Sequence, residues 1–361
     1  MKRVVTILGT RPEIIRLSRI MPLLDKYCNH TIVNTMQNYD YSLNDIFFRE
    51  LGLRAPNIHF NLKGATVWLQ VATMLVEIEK VFKEIVPDAV VVLGDTNSGL
   101  CAIVAERMGI PVYHLEAGNR CFDRAVPEEV NRKIIDSIST YNLPYTPGSR
   151  ENLMREGVEK NHIFTCGNPI GQVIDYYMYR QKIKDSDILG KLEIIPNGYF
   201  LATFHREETV DDQDRLFHVV KGLQQVGEKH KMPVICSIHP RTRIQLEKMK
   251  LDQHEYLRFS EPFGFFDFVK LEQNAKCILT DSGTVSEEAC ILGVPCVIMR
   301  DVTERPELLE CGSAMLSGVN TRRIQRSAEI MCDTHVWDLP IGYNDGDVSF
   351  KVVQYVLGEE I

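Results

Sequence analysis

The sequence predicts an α/β protein made of two Rossmann-like, doubly wound parallel sheets, and three observations carry that prediction. Short β-branched runs alternate with longer helical stretches. The runs are apolar without interruption, as strands covered on both faces are. The alternation occurs twice along 361 residues, a length that suits one large or two medium domains.

In the first half, VVTIL (4–8), TIVNT (31–35), AVVVLG (89–94) and PVYHLE (111–116) read as strands. Pro12 stands near the start of the helix after the first run, where a proline costs no hydrogen bond. A helical stretch runs from Trp68 to Ile85 and stops before Pro87, and Gly109 closes the helix through CAIVAERMG. The pattern restarts after residue 170 with YFLATF (199–204), PVICSI (233–238), CILTD (277–281) and PCVIM (295–299). These runs define a first domain over 1–168 and a second over 169–342, with the polar stretch Asp185 to Asn197 near the interdomain region. Residues 343–361 contain a final helix, Ser349 to Leu357, expected to cross back onto the first domain.

Composition narrows the function. Apolar residues make up 44% and charged residues 25%, ordinary values that exclude a disordered, collagenous or coiled-coil chain. The net charge of −8 argues against non-specific binding to nucleic acid or anionic membranes. No apolar run approaches the roughly 18 residues of a membrane helix. The run Val4 to Leu8 is followed at once by Arg11 and Glu13, so it reads as a buried strand, not a signal peptide. The ten cysteines are scattered without a CxxC pair, and Cys277 and Cys296 fall inside strand runs, which fits buried reduced thiols in a cytoplasmic protein. GxGxxG, Walker A, HExxH and zinc spacings are missing, so no pattern calls for a nicotinamide or a metal.

Ligands of doubly wound sheets bind outside the carboxyl ends of strands, and the polar residues there are distinctive. GTRPE (9–13) follows the first strand: Gly9 permits a tight turn, and Arg11, with Arg16 further along the helix, suits a phosphate or sugar. A plain turn with a surface arginine explains the motif as well. Asp95 and Glu116 end successive strands, where a carboxylate is costly unless partnered or at work. A helix cap for Asp95 and an interdomain ion pair for Glu116 are the structural alternatives. Pro127 opens a helix on which Glu128 and Arg132 stand i,i+4, as a tuned pair or a surface salt bridge. In the second half His205, Arg206 and His239 follow strands and suit an anion or acid–base work, against a cap or core role for each histidine. Asp281-Ser282-Gly283-Thr284 opens a helix whose start suits a diphosphate, with Glu288 able to accept from ribose hydroxyls. An ordinary N-cap is the alternative there.

Taken in order, GTRPE (9–13), GDT (94–96), EAG (116–118), PEEVNR (127–132), HRE (205–207), DSG (281–283), Glu287-Glu288 and RDVTERPE (300–307) resemble the non-hydrolysing UDP-N-acetylglucosamine 2-epimerases. The resemblance spans nearly the whole chain. It implies the two-domain glycosyltransferase-B type fold and a UDP-N-acetylhexosamine substrate inverted at C2, by elimination of UDP to a 2-acetamidoglycal and re-addition. It also implies a homodimer that needs neither cofactor nor metal. On that resemblance Asp95, Glu116, Glu128 and His205 are the catalytic set, with Glu129 as the alternative to Glu128. Arg11, Arg16, Arg132, Arg206, His239, Ser282, Gly283, Thr284 and Arg305 bind the sugar and phosphates, Glu288 the ribose and Phe268 the uracil. Arg16 stands where the family usually has lysine.

Four stretches depart from the UDP-N-acetylglucosamine pattern: QNYDYSLNDIFF (37–48), EAGNRCFD (116–123), HREET (205–209) and DSGT (281–284). They resemble the branch that makes UDP-N-acetyl-L-fucosamine for capsule or O-antigen. The first replaces a Gln-His motif that belongs to an allosteric UDP-GlcNAc site in bacterial relatives. A UDP-GlcNAc/UDP-ManNAc 2-epimerase, a hydrolysing epimerase, a glycosyltransferase of the same fold and a non-catalytic UDP-sugar sensor are the competing readings.

Overall fold

Each apolar run becomes a strand in the computed structural model, which describes residues 1–36, 41–62, 66–251, 254–333 and 336–358. Residues 37–40 of the departing stretch 37–48 lie outside the described residues. The chain forms two units, Met1–Val173 with Ile341–Ile361, and Ile174–Pro340.

The first unit contains β1 (Arg3–Leu8), β2 (Asn29–Asn34), β3 (Ile58–His59), β4 (Ala89–Leu93), β5 (Val112–Leu115) and β6 (Tyr141–Leu143). All are parallel, in the order β3-β2-β1-β4-β5-β6. Every residue of β4 is buried, which is why AVVVL carries no polar position. On one face Val90 and Val92 join Val5, Ile7 and Val112 in a cluster with Ile78, Phe82 and Ala105 from the crossover helices. Winding reverses between β1 and β4, so a crevice opens at their carboxyl ends, beside Gly9 and Asp95.

The second unit repeats this winding. It contains β7 (Phe200–Thr203), β8 (Val234–Ser237), β9 (Leu257–Ser260), β10 (Ile278–Thr280), β11 (Cys296–Ile298) and β12 (Ala314–Leu316), all parallel in the order β12-β11-β10-β7-β8-β9. Its switch point lies between β7 and β10, beside His205 and Asp281. The core joins Phe200, Ala202, Val234 and Cys236 to Leu216, Val219, Leu223, Ile324 and Ala328. The stretch 185–197 lies within this unit, where the Ser186 hydroxyl donates to Asp267 at 2.5 Å and the Asn197 N–H to the Asn274 carbonyl at 2.8 Å. All ten cysteines are free thiols. Among the described residues no helix is long and apolar enough to cross a membrane.

The helix Val348–Leu357 belongs to the first unit. The Ser349 N–H donates to Gln172 Oε1 at 2.9 Å, Tyr355 stacks on Phe164 with ring centroids 4.6 Å apart, and Lys2 Nζ donates to the Gly358 carbonyl at 2.6 Å. The chain re-enters through Gly342, whose carbonyl accepts from the Asn168 N–H at 2.7 Å. Its φ is +97°, and an added Cβ would lie 2.2 Å from the Tyr145 carbonyl oxygen. Gly342→Ala is therefore expected to cost more than about 2 kcal/mol in urea unfolding. An unchanged midpoint would contradict this close docking of the returning segment.

Candidate active site

A single buried carboxylate ties the first switch point together. Glu13 stands in the first turn of the helix Arg11–Leu17 and reaches back to the Thr10 N–H at 2.6 Å, the carboxylate half of a capping box. It also accepts from the Gly9 N–H and the Thr10 hydroxyl, each at 2.8 Å, and from the Thr96 hydroxyl at 2.8 Å. Glu13 thus binds the turn after β1 to the turn after β4. Arg11, half-buried beside it, lies with its guanidinium 5.6 Å from the centre of the Phe47 ring.

Asp95 ends β4 and is held by the helix Pro127–Ile138. Arg132 donates to Asp95 Oδ2 through Nε at 3.1 Å and Nη2 at 2.6 Å, and to Glu129 Oε2 through Nη1 at 2.8 Å. Asn131 Nδ2 donates to the Asp95 carbonyl at 3.0 Å and to Asn97 Oδ1 at 3.2 Å. The Arg132 side chain is 3% exposed and that of Asp95 is 24% exposed, so the pair is anchored inside and presents one carboxylate outward. Thr96, not Asp95, occupies the N-cap position of the short helix that follows. Glu129 is buried and accepts from the N–H groups of Cys121 and Phe122 at 3.0 and 3.2 Å, which fixes the preceding loop. Glu128 is half-buried in the same first turn, so the adjacent glutamates divide into an interior anchor and a group nearer solvent.

Glu116 follows β5 with φ +66°, a left-handed conformation that costs a non-glycine residue roughly 1–2 kcal/mol. Arg16, itself buried, pairs with Glu116 Oε2 and lies 5.7 Å from the Tyr145 ring centre. The ion pair expected for Glu116 is an interdomain one; the pair found here instead joins two residues of the first unit, because Arg16 on the helix after β1 lies beside the end of β5. EAG ends in glycine because position 118 has φ +82° and an added Cβ would lie 2.1 Å from the Ser149 carbonyl oxygen.

In the second unit Asp281 organises the switch point. It is fully buried and accepts from the backbone N–H groups of His205 at 2.8 Å and Arg206 at 2.9 Å, while Arg206 Nε donates to the Asp281 carbonyl at 3.0 Å. His205 Nδ1 lies 3.2 Å from Asp281 Oδ1, a close contact outside good hydrogen-bond angles. Burial pushes the Asp281 carboxyl up, but His205 and Arg206 outweigh it and hold the group below its usual range. The His205 ring remains 55% exposed, available for chemistry.

Ser282 caps the helix Gly283–Leu292, accepting from the Val285 N–H at 3.5 Å, and Thr284 is half-buried in its first turn. Glu288 is buried one turn further on. Arg305 is also buried, donating to Glu287 at 2.8 Å and Glu304 at 2.5 Å, with Arg300 closing the cluster on Glu304 at 2.8 Å. His239 is exposed and caps the helix Pro240–Lys248, its Nδ1 accepting from the Arg241 N–H at 3.3 Å. Phe268 is buried on the helix Phe265–Asn274. Among the described residues no group of three or more histidine, cysteine or carboxylate side chains is arranged to hold a metal ion.

The structure therefore brings Arg11, Arg16, Asp95, Glu116, Glu128 and Arg132 to the carboxyl ends of β1, β4 and β5, and His205, Arg206, Ser282, Gly283, Thr284 and Glu288 to those of β7 and β10. Sequence reasoning passed over Glu13 and Asp281 as working parts of these sites. Thr10-x-x-Glu13 is a readable capping box; nothing local distinguishes the clamp role of Asp281.

Two doubly wound units, each with titratable groups at its switch point, define an α/β enzyme of the glycosyltransferase-B type. The sequence profile of the family described as UDP-N-acetylglucosamine 2-epimerase matches residues 24–357, and the chain belongs to that family of UDP-sugar isomerases. It is 44% identical to the UDP-N-acetylglucosamine 2-epimerase of Methanocaldococcus jannaschii, covering 97% of this chain and 98% of that one. It is 33% identical to the UDP-2,3-diacetamido-2,3-dideoxy-D-glucuronate 2-epimerase of Pseudomonas aeruginosa, covering 98% and 99%. The crystal structure of the Methanocaldococcus jannaschii UDP-GlcNAc 2-epimerase in complex with UDP-GlcNAc and UDP matches with a TM-score of 0.91 at 40% identity, covering 98% of this chain and 99% of that one.

Burial pushes the Glu13 carboxyl up to about 7, against hydrogen bonds from Gly9, Thr10 and Thr96 that favour its ionised form. Between pH 4.5 and 7 the folded chain then keeps a proton that the unfolded chain has released, so this residue makes stability fall as pH rises through that window. Glu13→Gln is expected to remove up to about 3 kcal/mol of that pH dependence. Urea unfolding of both proteins at several pH values checks it; an unaltered slope in the variant would contradict the assignment.

Proposed function

We propose that the protein inverts C2 of a UDP-N-acetylhexosamine without hydrolysing it, interconverting UDP-N-acetylglucosamine and UDP-N-acetylmannosamine. The observation that carries this reading is Asp95: a carboxylate ending a buried strand, clamped by Arg132 and still a quarter exposed. The Arg132 fork fixes one oxygen of the carboxylate through two hydrogen bonds, so the group is held in place at the strand end where a base is needed.

The proton on C2 is weakly acidic, so direct inversion is difficult. Elimination avoids a free carbanion. A base takes the C2 proton, the bond from C1 to the β-phosphate oxygen breaks, and a 2-acetamidoglycal and UDP form. UDP then returns to C1 while an acid delivers a proton to the opposite face of C2. Two carboxyl groups serving opposite faces satisfy this scheme, and they are drawn from the three at this strand-end site, Asp95, Glu116 and Glu128. His205 assists at the sugar or the leaving oxygen. The backbone N–H groups at Ser282, Gly283 and Thr284, with Arg206, receive the diphosphate, Glu288 the ribose and Phe268 the uracil. Arg11, His239 and Arg305 contribute cationic or hydrogen-bonding contacts to sugar and phosphates. Arg16 and Arg132 act through the carboxylates they pair.

The names and bound ligand of the Methanocaldococcus jannaschii relatives support UDP-GlcNAc as substrate. The departures EAGNRCFD (116–123) and DSGT (281–284) favour a second reading, formation of UDP-N-acetyl-L-fucosamine from UDP-2-acetamido-2,6-dideoxy-L-talose. Incubation in D2O with each UDP-sugar, followed by proton NMR, separates them. Deuterium entering C2 of UDP-GlcNAc with growth of its 2-epimer is the expected result, and faster turnover of the 6-deoxy-L-taloside would favour the second reading. No exchange with either, while UDP binds, would contradict both.

Asp95→Asn is expected to slow epimerisation by about a hundredfold or more, since base catalysis contributes on that scale, with UDP affinity retained. Glu288→Gln is expected to weaken UDP binding by about tenfold, the worth of a charge-assisted hydrogen bond, while slowing chemistry less. Titration calorimetry with UDP alongside turnover rates checks both variants.

A further inference from the structure

We propose that His114 and Asp136 form a positioning pair that sets the relative placement of the Asp95 and Glu116 carboxylates. The inference rests on the reading that those carboxylates handle the C2 proton.

His114 lies in β5, two residues before Glu116, with its side chain fully buried. Its Nε2 sits 2.9 Å from the carbonyl oxygen of Gly94, the residue before Asp95. A carbonyl only accepts, so Nε2 carries a proton and points it at the turn that holds Asp95. On the other side of the ring, Nδ1 lies 2.8 Å from Asp136 Oδ1, close but outside good hydrogen-bond angles. The second oxygen of Asp136 accepts from the Gly118 N–H at 3.0 Å, two residues after Glu116, and from Arg120 Nη1 at 2.7 Å. Arg120 is in turn held by Glu156, its Nε donating at 2.9 Å.

Three elements thus converge on one buried carboxylate: the turn before Asp95 through His114, the turn after Glu116 through Gly118, and the helix Pro127–Ile138, which bears Asp136. That same helix holds Asp95 directly through Asn131 and Arg132. Moving Asp136 therefore moves both turns and their clamp together. Burial pushes the Asp136 carboxyl up, and the contacts from His114 and Arg120 outweigh it, so the group stays ionised below its usual range. Ion pairs this deep add little stability over apolar packing of the same volume. A geometric role explains better why the His114 contact to Gly94 and the Asp136 contact to Gly118 end on the turns that carry Asp95 and Glu116. Misplacement by about 1 Å costs a reaction up to a hundredfold.

The test uses the full chain with UDP-GlcNAc and reads kcat, KM and C2 deuterium uptake. His114→Leu removes the donor to Gly94 and is expected to lower kcat at least about tenfold with KM changed less than about threefold. His114→Gln keeps a donor in reach and is expected to recover part of the loss. Asp136→Asn is expected to match His114→Leu, and the double variant to be no worse than the poorer single one, because both act through the same turns. If His114→Leu fails to fold, the volume-preserving Asp136→Asn carries the test. Folded variants with a lowered melting temperature and unchanged kcat, or with losses that multiply in the double variant, overturn the proposal. Asp95→Asn is run beside them. If Asp95→Asn keeps full activity, the reading of the carboxylates fails and takes the pair with it. An inactive Asp95→Asn beside fully active His114 and Asp136 variants overturns the pair alone.

Discussion

The first site depends on the guanidinium of Arg132. It is buried between Asp95 and Glu129, and it joins the carboxyl end of β4 to the helix Pro127–Ile138. Without it the fully buried Glu129 would keep only Lys133, 3.9 Å away, as a cationic partner, and Asp95 would lose both guanidinium contacts; removal of one partner from such a cluster costs about 3–5 kcal/mol. With it, Asp95 has a buried partner at the end of a strand that has no polar residue of its own. Glu129, paired with the same group, also accepts from the N–H groups of the loop at 121–122. The strand end, the helix and the loop are then one electrostatic unit.

The inner strands of both sheets were legible because both their faces are covered, which leaves only apolar residues. β1, β2, β4 and β5 in the first unit, and β7, β8, β10 and β11 in the second, lie where the runs put them. The strands passed over, β3, β6, β9 and β12, are the four sheet edges. An edge strand is covered less and can be as short as Ile58–His59, so no run marks it. Asp95, Glu116 and His205 were legible for the converse reason: polar residues standing directly after an apolar run. The assignment between Glu128 and Glu129 was not. It follows from helix phase, since Glu129 lies i,i+3 from Arg132 on the inward face. His114 falls inside a strand run, and its partner Asp136 comes from a helix more than twenty residues on, a pairing only the tertiary fold creates.

The two units wind alike and use the switch point differently. In the first, arginines hold carboxylates that remain partly accessible. In the second, a buried carboxylate, Asp281, holds a histidine and an arginine toward the crevice side of the sheet. On the proposed function this is a division of labour: the first unit exchanges the proton at C2, and the second receives the charge that UDP carries away from C1. Each inverts the arrangement of the other because each stabilises the opposite charge.

Cleavage and re-formation of the bond from C1 to the phosphate oxygen is the central claim, and isotope position reads it directly. UDP-GlcNAc carrying 18O in the bridge between C1 and the β-phosphorus would be incubated with the enzyme, and the recovered UDP-sugars examined by 31P NMR. Departure and return of UDP lets the labelled oxygen exchange places with its non-bridging neighbours on the β-phosphate. The account predicts that 18O spreads into non-bridging positions as the 2-epimer accumulates. Full epimerisation with the label still in the bridge would contradict it.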